Sequence, residues 1–131
     1  MDTNGNIKKL LIKDLSSRLP YNVICQVEFK EGGKYNSKVM LLSGIFTDEA
    51  YFTTKGGSIY SNEYKPYLFP LSSMTEEQKQ EYQHITERWM YDSSYSISDS
   101  IDWLNKNHFD YRDLIPMGLA IAVTKENNPY K

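Results

Sequence analysis

The chain has 131 residues, of which 40% are hydrophobic and 24% charged, with a formal net charge of −2. This size and balance fit one domain that buries its own core, and they exclude disordered and membrane-embedded compositions. The single cysteine, Cys25, excludes an internal disulfide and a multi-thiolate zinc site.

The opening stretch MDTNGNIKKLLIKDL breaks its apolar groups with lysine and carries no small-residue cleavage site. A cytosolic, reducing location without a membrane span is therefore expected. Ile7 to Leu19 reads as a helix: Ile7, Leu10, Leu11, Ile12, Leu15 and Leu19 share one side at 100° per residue, with Lys9 and Lys13 opposite. Asp14 and Arg18 are four apart, which predicts an ion pair at the edge of the apolar stripe. Pro20 ends the helix, because it lacks an N–H and restricts Leu19.

Residues 21–71 read as an antiparallel β meander. In NVICQVEFK, Val23, Cys25, Val27 and Phe29 alternate with polar neighbours. The turn EGGKYN leads to a second strand, SKVMLLSGIF. The turn TDEA, the strand YFTT, the turn KGG and the strand SIYS follow, with no room for crossover helices. The expected form is a small SH3-like or partly open barrel, with the proline-braced segment EYKPYLFPL laid across a sheet edge or barrel end.

Residues 75–116 read as the helical part. Thr75 to Gln78 form a capping box, and Tyr82, Ile85 and Trp89 make an apolar stripe. The serine-rich YDSSYSIS connects to a third helix, capped by Ser98 or Asp99 and running to about Asn107. Asp110 caps the short turn YRDLI. Residues 119–123 make a last strand, and the tail TKENNPYK is expected to fray. The fold class is thus α+β in a single domain, 1–131.

Candidate chemistry is sparse. Continuing the third helix puts His108 on its apolar side, at the carboxyl end where a histidine can bond final carbonyls. A hydrolase or transferase using His108 with Asp110 or Asp113 and Tyr111 is the enzymatic alternative. His84 falls on a solvated face with Glu77, Glu81 and Arg88. The carboxylate pairs sit at helix starts, where capping explains them. No residue set calls for a cofactor or a metal. Cys25, inside an alternating strand, reads as a buried, inert thiol.

Eleven tyrosines, with five phenylalanines and two tryptophans, are the unusual feature of the composition. Such rings suit both sheet packing and contact surfaces. Trp103 lies away from the Ile101/Leu104 side of its helix, so another segment covers it or it projects as a contact residue. Tyr60, Tyr64, Tyr67 and Phe69, around Pro66 and Pro70, either line a peptide groove or pack as a strap. Residues 1–70 carry nine Lys/Arg against seven Asp/Glu, and residues 71–131 carry six against ten. This balance disfavours nucleic acid as a partner, although Lys8, Lys9, Lys13 and Lys38 could serve one.

The segments RLPYNVICQV, YLFPLSSMTEEQKQEY and DWLNKNHFDYRDLIPMGLAIAV resemble a family of small uncharacterised proteins from gut anaerobic bacteria and their prophages. The resemblance spans about Leu15 to Val123 and departs between Glu31 and Ser61. It implies a cytosolic, mobile-element-borne protein and transfers no activity. The sequence therefore favours a non-enzymatic binding module for a protein partner or for its own copy, with Trp103, Tyr60, Tyr64, Tyr67 and Phe69 as contact residues.

Overall fold

A computed structural model describes residues 4–46, 49–91 and 97–131. Parts of the expected TDEA turn and serine-rich connection, together with the Trp89 side chain, lie outside the described residues. Helix α1 (Asn4–Arg18) gives way at Leu19–Tyr21 to a single 3-10 turn containing Pro20, and Asn22 adopts a left-handed conformation that redirects the chain into the sheet. Strands β1 (Ile24–Glu31), β2 (Lys34–Phe46), β3 (Glu49–Thr54), β4 (Gly57–Ser61) and β5 (Glu63–Pro70) follow in turn. After them come α2 (Glu76–Tyr91), α3 (Ile97–Lys106) and two short strands, β6 (Phe109–Asp110) and β7 (Ile121–Ala122).

The fold is α+β, with a mixed, mostly antiparallel sheet of seven strands. The order is β4-β3-β2-β1-β5-β6, and β7 also pairs with β5. Period-two alternation selects the inner face. Val23, Cys25, Val27, Met40, Leu42, Ala50 and Phe52 are buried there together with Leu11 and Leu15 of α1. A bulge between Leu42 and Gly44 resets the alternation, so that Ile45 still packs inward while Phe46 faces out.

EYKPYLFPL is a strand of the sheet and not a strap across its edge. It pairs antiparallel with β1 from Glu63 to Pro66, then parallel with β7 at Tyr67–Leu68 and with β6 at Phe69–Pro70. Proline is tolerated inside it because Pro66 stands opposite Cys25, between rungs, where no N–H is needed toward β1.

The helical part differs from expectation at its end. The helix α3 stops at Lys106, and His108 takes a left-handed φ of 62°, so the chain breaks into β6 where helical periodicity had been extended. The helix also begins at Ile97, which leaves Ser98 and Asp99 inside its first turn. Thr75 and Gln78 do form a reciprocal capping box, at 2.9 and 3.1 Å. Asp110 caps its turn as anticipated, accepting the N–H groups of Leu114 (3.0 Å) and Ile115 (2.9 Å). The last strand shrinks to two residues, Ile121 and Ala122.

Asp14 and Arg18 are completely buried and not at the stripe's edge. The Arg18 guanidinium donates to both Asp14 carboxylate oxygens (2.7 and 3.1 Å) and to the Phe109 carbonyl (2.7 Å), and it lies 5.2 Å from the Tyr111 ring centroid. Arg112 adds a second cation 3.5 Å from Asp14. The ion pair is drawn inward because its third partner belongs to the segment that α1 packs against.

The tail is docked and not frayed. Asn127 accepts from the Thr124 N–H and donates to the Ala122 carbonyl. The Tyr130 hydroxyl accepts from the Ile24 N–H (3.1 Å) and donates to the Tyr67 carbonyl (2.7 Å). Ile24 and Tyr67 are the next rung of the β1–β5 ladder, so one phenol stands in for a strand-to-strand bond. Burial pushes the Tyr130 phenol above its ordinary pKa, keeping the donor proton in place.

Two outcomes test these contacts. Arg18→Met should destabilise the chain by about 3–5 kcal/mol in urea unfolding, because it strands the Asp14 charge. The double change Asp14→Leu/Arg18→Met should cost less than that single change. Tyr130→Phe should cost about 1–3 kcal/mol and speed hydrogen exchange at the Ile24 amide, since a buried donor and acceptor lose their bridge.

Candidate functional site

Four of the five aromatic residues expected to contact a partner serve the interior. Trp103 is 7% exposed because α2 covers it: its ring stacks on Phe109 (5.7 Å) and meets Tyr82 (5.5 Å), and its Nε1–H donates to Glu81 (3.0 Å). The outward alternative for Trp103 is thereby set aside. Tyr64 lies in the main core against Phe52, at 5.4 Å. Tyr67 is buried and donates to Gln26. Phe69 is half-buried between Phe109 and Tyr130.

Tyr60 alone remains on the surface, 55% exposed, and it has companions that sequence reasoning missed. Its ring centroid lies 4.8 Å from Tyr51 and 5.6 Å from Phe46, itself 56% exposed. Gly44 sits beneath this group, where a Cβ would come to 3.5 Å from the Tyr51 Cβ. The signal was present in YFTTKGGSIY: a two-residue Lys55–Gly56 turn sets Tyr51 opposite Tyr60.

This aromatic ledge borders an open seam in the meander. Strand β1 pairs with β5 only as far as Glu28, leaving Phe29 to Glu31 bonded on the β2 side alone. Strand β4 pairs with β3 and is the last strand of the sheet on that side. Ladder alternation turns the N–H and C=O groups of Lys30, Ser58 and Tyr60 into the seam. At one end the seam is closed by Ser61, whose hydroxyl accepts from the Glu63 N–H (3.0 Å) and donates to the Glu28 carbonyl (2.6 Å). At the other end, the mouth, it opens between the Gly32–Gly33 and Lys55–Gly56 turns.

Two clefts flank the seam and share Phe29, Lys30 and Ile59. The inner cleft, about 370 Å³, has Phe29, Met40 and Ile59 as an apolar floor, with Lys38 and Glu31 at its rim. The outer cleft, about 290 Å³, runs past Tyr35, Tyr60, Glu49 and Glu63. Edge strands in natural proteins usually carry a lysine, a proline or a bulge to discourage pairing; the five residues GSIYS of β4 carry neither charge nor proline. A third cleft of about 450 Å³ lies beside β5, lined by Gln26, Tyr64, Lys65 and Ile121.

Most residues of the enzymatic alternative have structural partners. The His108 ring stacks on Tyr130 at 4.0 Å, its Nδ1 has no hydrogen-bond partner, and it lines none of these three clefts. The Asp110 carboxylate is engaged by backbone N–H groups, and Tyr111 donates to Asn105. Asp113 is exposed in a left-handed turn. Cys25 is buried, and desolvation holds its thiol well above the ordinary value, the inert state expected from its strand. Lys8, Lys9 and Lys13 lie along α1, whereas Lys38 belongs to β2. No group of three or more potential metal ligands is present among the described residues. Comparison with protein families, curated proteins and solved structures finds no match to this chain.

His108 gives folding stability a pH dependence. Burial, and next the nearby Arg18 charge, lower its pKa from 6.5 to about 4. The unfolded chain therefore binds more protons than the folded one between these values, so the penalty is absent above about pH 6.5 and grows as pH falls toward 4. In a pH series of urea midpoints, His108→Asn, which tolerates the left-handed backbone, should flatten the slope in that window. An unchanged slope would assign it to other groups.

Proposed function

We propose that this protein is a non-enzymatic binding module that accepts an extended segment of a partner polypeptide at the open seam between β1 and β4. The observation that carries this reading is the pair of unpaired strand edges facing one seam, that of β4 without charge or proline, beside the ledge of Phe46, Tyr51 and Tyr60. In strand addition, main-chain hydrogen bonds supply affinity and alternate side-chain pockets supply specificity. The apolar floor of the inner cleft and the tyrosines of the outer one suit those two roles.

The order β4-β3-β2-β1-β5, with Ser61 returning to β1, supports reading the meander as an SH3-like barrel left open along one line. No described helix is long and apolar enough to cross a membrane. A cytosolic, mobile-element-borne setting rests on the family resemblance and the cysteine usage.

Selection of displayed random peptides on the immobilised chain tests the reading. Enriched peptides should shift the backbone amides of Lys30, Ser58 and Tyr60 in nitrogen-15 spectra. Ser58→Pro, which removes an edge N–H, should weaken them about tenfold or more while far-ultraviolet dichroism stays unchanged, and Tyr60→Ala should weaken them less. Enriched peptides that shift other surfaces, or that bind Ser58→Pro as tightly as the native chain, would refute it.

A further inference from the structure

We infer that the seam is directional: it takes a segment running antiparallel to β4, whose free carboxylate or acidic residue reaches Lys38 at the mouth while its amino or basic end lies by the glutamates at the closed end. This rests on the strand-addition reading and adds the orientation and chemistry of the occupant.

The two ends of the seam carry opposite charge. Glu28, Glu49 and Glu63 line the outer cleft near the end closed by Ser61 and outnumber its cation, Lys30, which lies 5.3 Å from the Tyr35 ring centroid. Lys38 lines the inner cleft near the mouth, and Lys55 lies in the turn that forms one lip of it. The β1–β2 register sets Lys38 opposite Val27, on the inward face two residues before Met40, so it rises from the apolar floor. No hydrogen bond or ion pair engages the Lys38 amine among the described residues. Glu31, the acid at this rim, stands farther out, on the last rung opposite Lys34, whose charge offsets it.

Charge, rather than strand sense, then fixes polarity. From Gly57 to Ser61, β4 runs from the mouth to the closed end. Strand β1 runs the opposite way along the seam, so an added strand is antiparallel to one edge and parallel to the other; in the sense antiparallel to β4 its carboxyl side ends at the mouth. A terminal carboxylate there meets Lys38, the preceding side chain can enter the pocket of Phe29, Met40 and Ile59, and the amino end meets three carboxylates. The opposite sense, parallel to β4 and antiparallel to β1, sets a carboxylate against Glu28, Glu49 and Glu63. Fields inside a cleft with apolar walls sharpen this discrimination.

The test is a nitrogen-15 titration of the full chain with a threonine–valine pentapeptide bearing an amino-terminal arginine, in free-acid and carboxamide forms. The acid should bind about fivefold tighter than the amide, and Lys38→Gln should erase the difference while leaving amide-form binding intact. Equal affinity of the two forms, with shifts still at Ser58 and Tyr60, would overturn the direction and leave strand addition standing. Absence of shifts at Ser58 and Tyr60 with either form would overturn both.

Discussion

A single guanidinium holds the two halves of this molecule in register. Arg18 ends α1, yet its partners are Asp14 one turn back and the Phe109 carbonyl ninety-one residues on. A charge with no solvent exposure is tolerable only when it is paired; Nε and Nη2 of Arg18 are met and Nη1 alone is not, so these contacts dictate how α1 and the β6 corner sit together. Tyr111 and Arg112 close over the same group. Because α1 also lays Leu11 and Leu15 on the inner face of the meander, one residue's requirements couple the sheet to the helical part.

The remaining architecture follows from which surfaces these contacts consume. The inner sheet face is spent on α1. The segment after β5 builds a second, smaller core of Trp103, Leu104 and Phe109, with Met74, Tyr82 and Ile85 packed on it. Among the described residues the outer face of β2, β3 and β4 has no such cover, and there Phe46, Tyr51 and Tyr60 gather. An exposed aromatic group beside unpaired backbone has a physical meaning that scattered apolar residues lack, since each supplies a different part of a contact.

Much of the fold was legible in local rules. Alternation found the strands, the Thr75 box and the Asp110 cap were readable from side-chain chemistry, and Pro20 marked the end of α1. The misreadings share one cause: tertiary partners overrode local pattern. Pro66 and Pro70 suggested a strap, but a proline between rungs is compatible with a central strand. His108 continued a helical face on paper, yet its left-handed backbone frees Phe109 to pair with Phe69. Trp103 looked unpartnered on its own helix because its cover comes from α2. Of the candidate site, Tyr60 was found as one of a sequence-local group, whereas its real neighbours, Tyr51 and Phe46, come from across the sheet. The seam itself was invisible, because it is made by the stagger of β1 and β5, two strands of eight residues of which only four pair.

The β1–β5 ladder carries one more lesson in how a short pairing is made unique. A slip of one residue would turn the inward side chains out, and the hydrophobic pattern forbids it. A slip of two keeps every side chain on its face, so burial alone does not resist it. Here each end of the ladder is met by a hydroxyl from elsewhere, Tyr130 between Ile24 and Tyr67 and Ser61 between Glu28 and Glu63. A two-residue slip would present both hydroxyls with the wrong backbone groups at once. The pair acts as a vernier, converting a periodic match into a single permitted alignment.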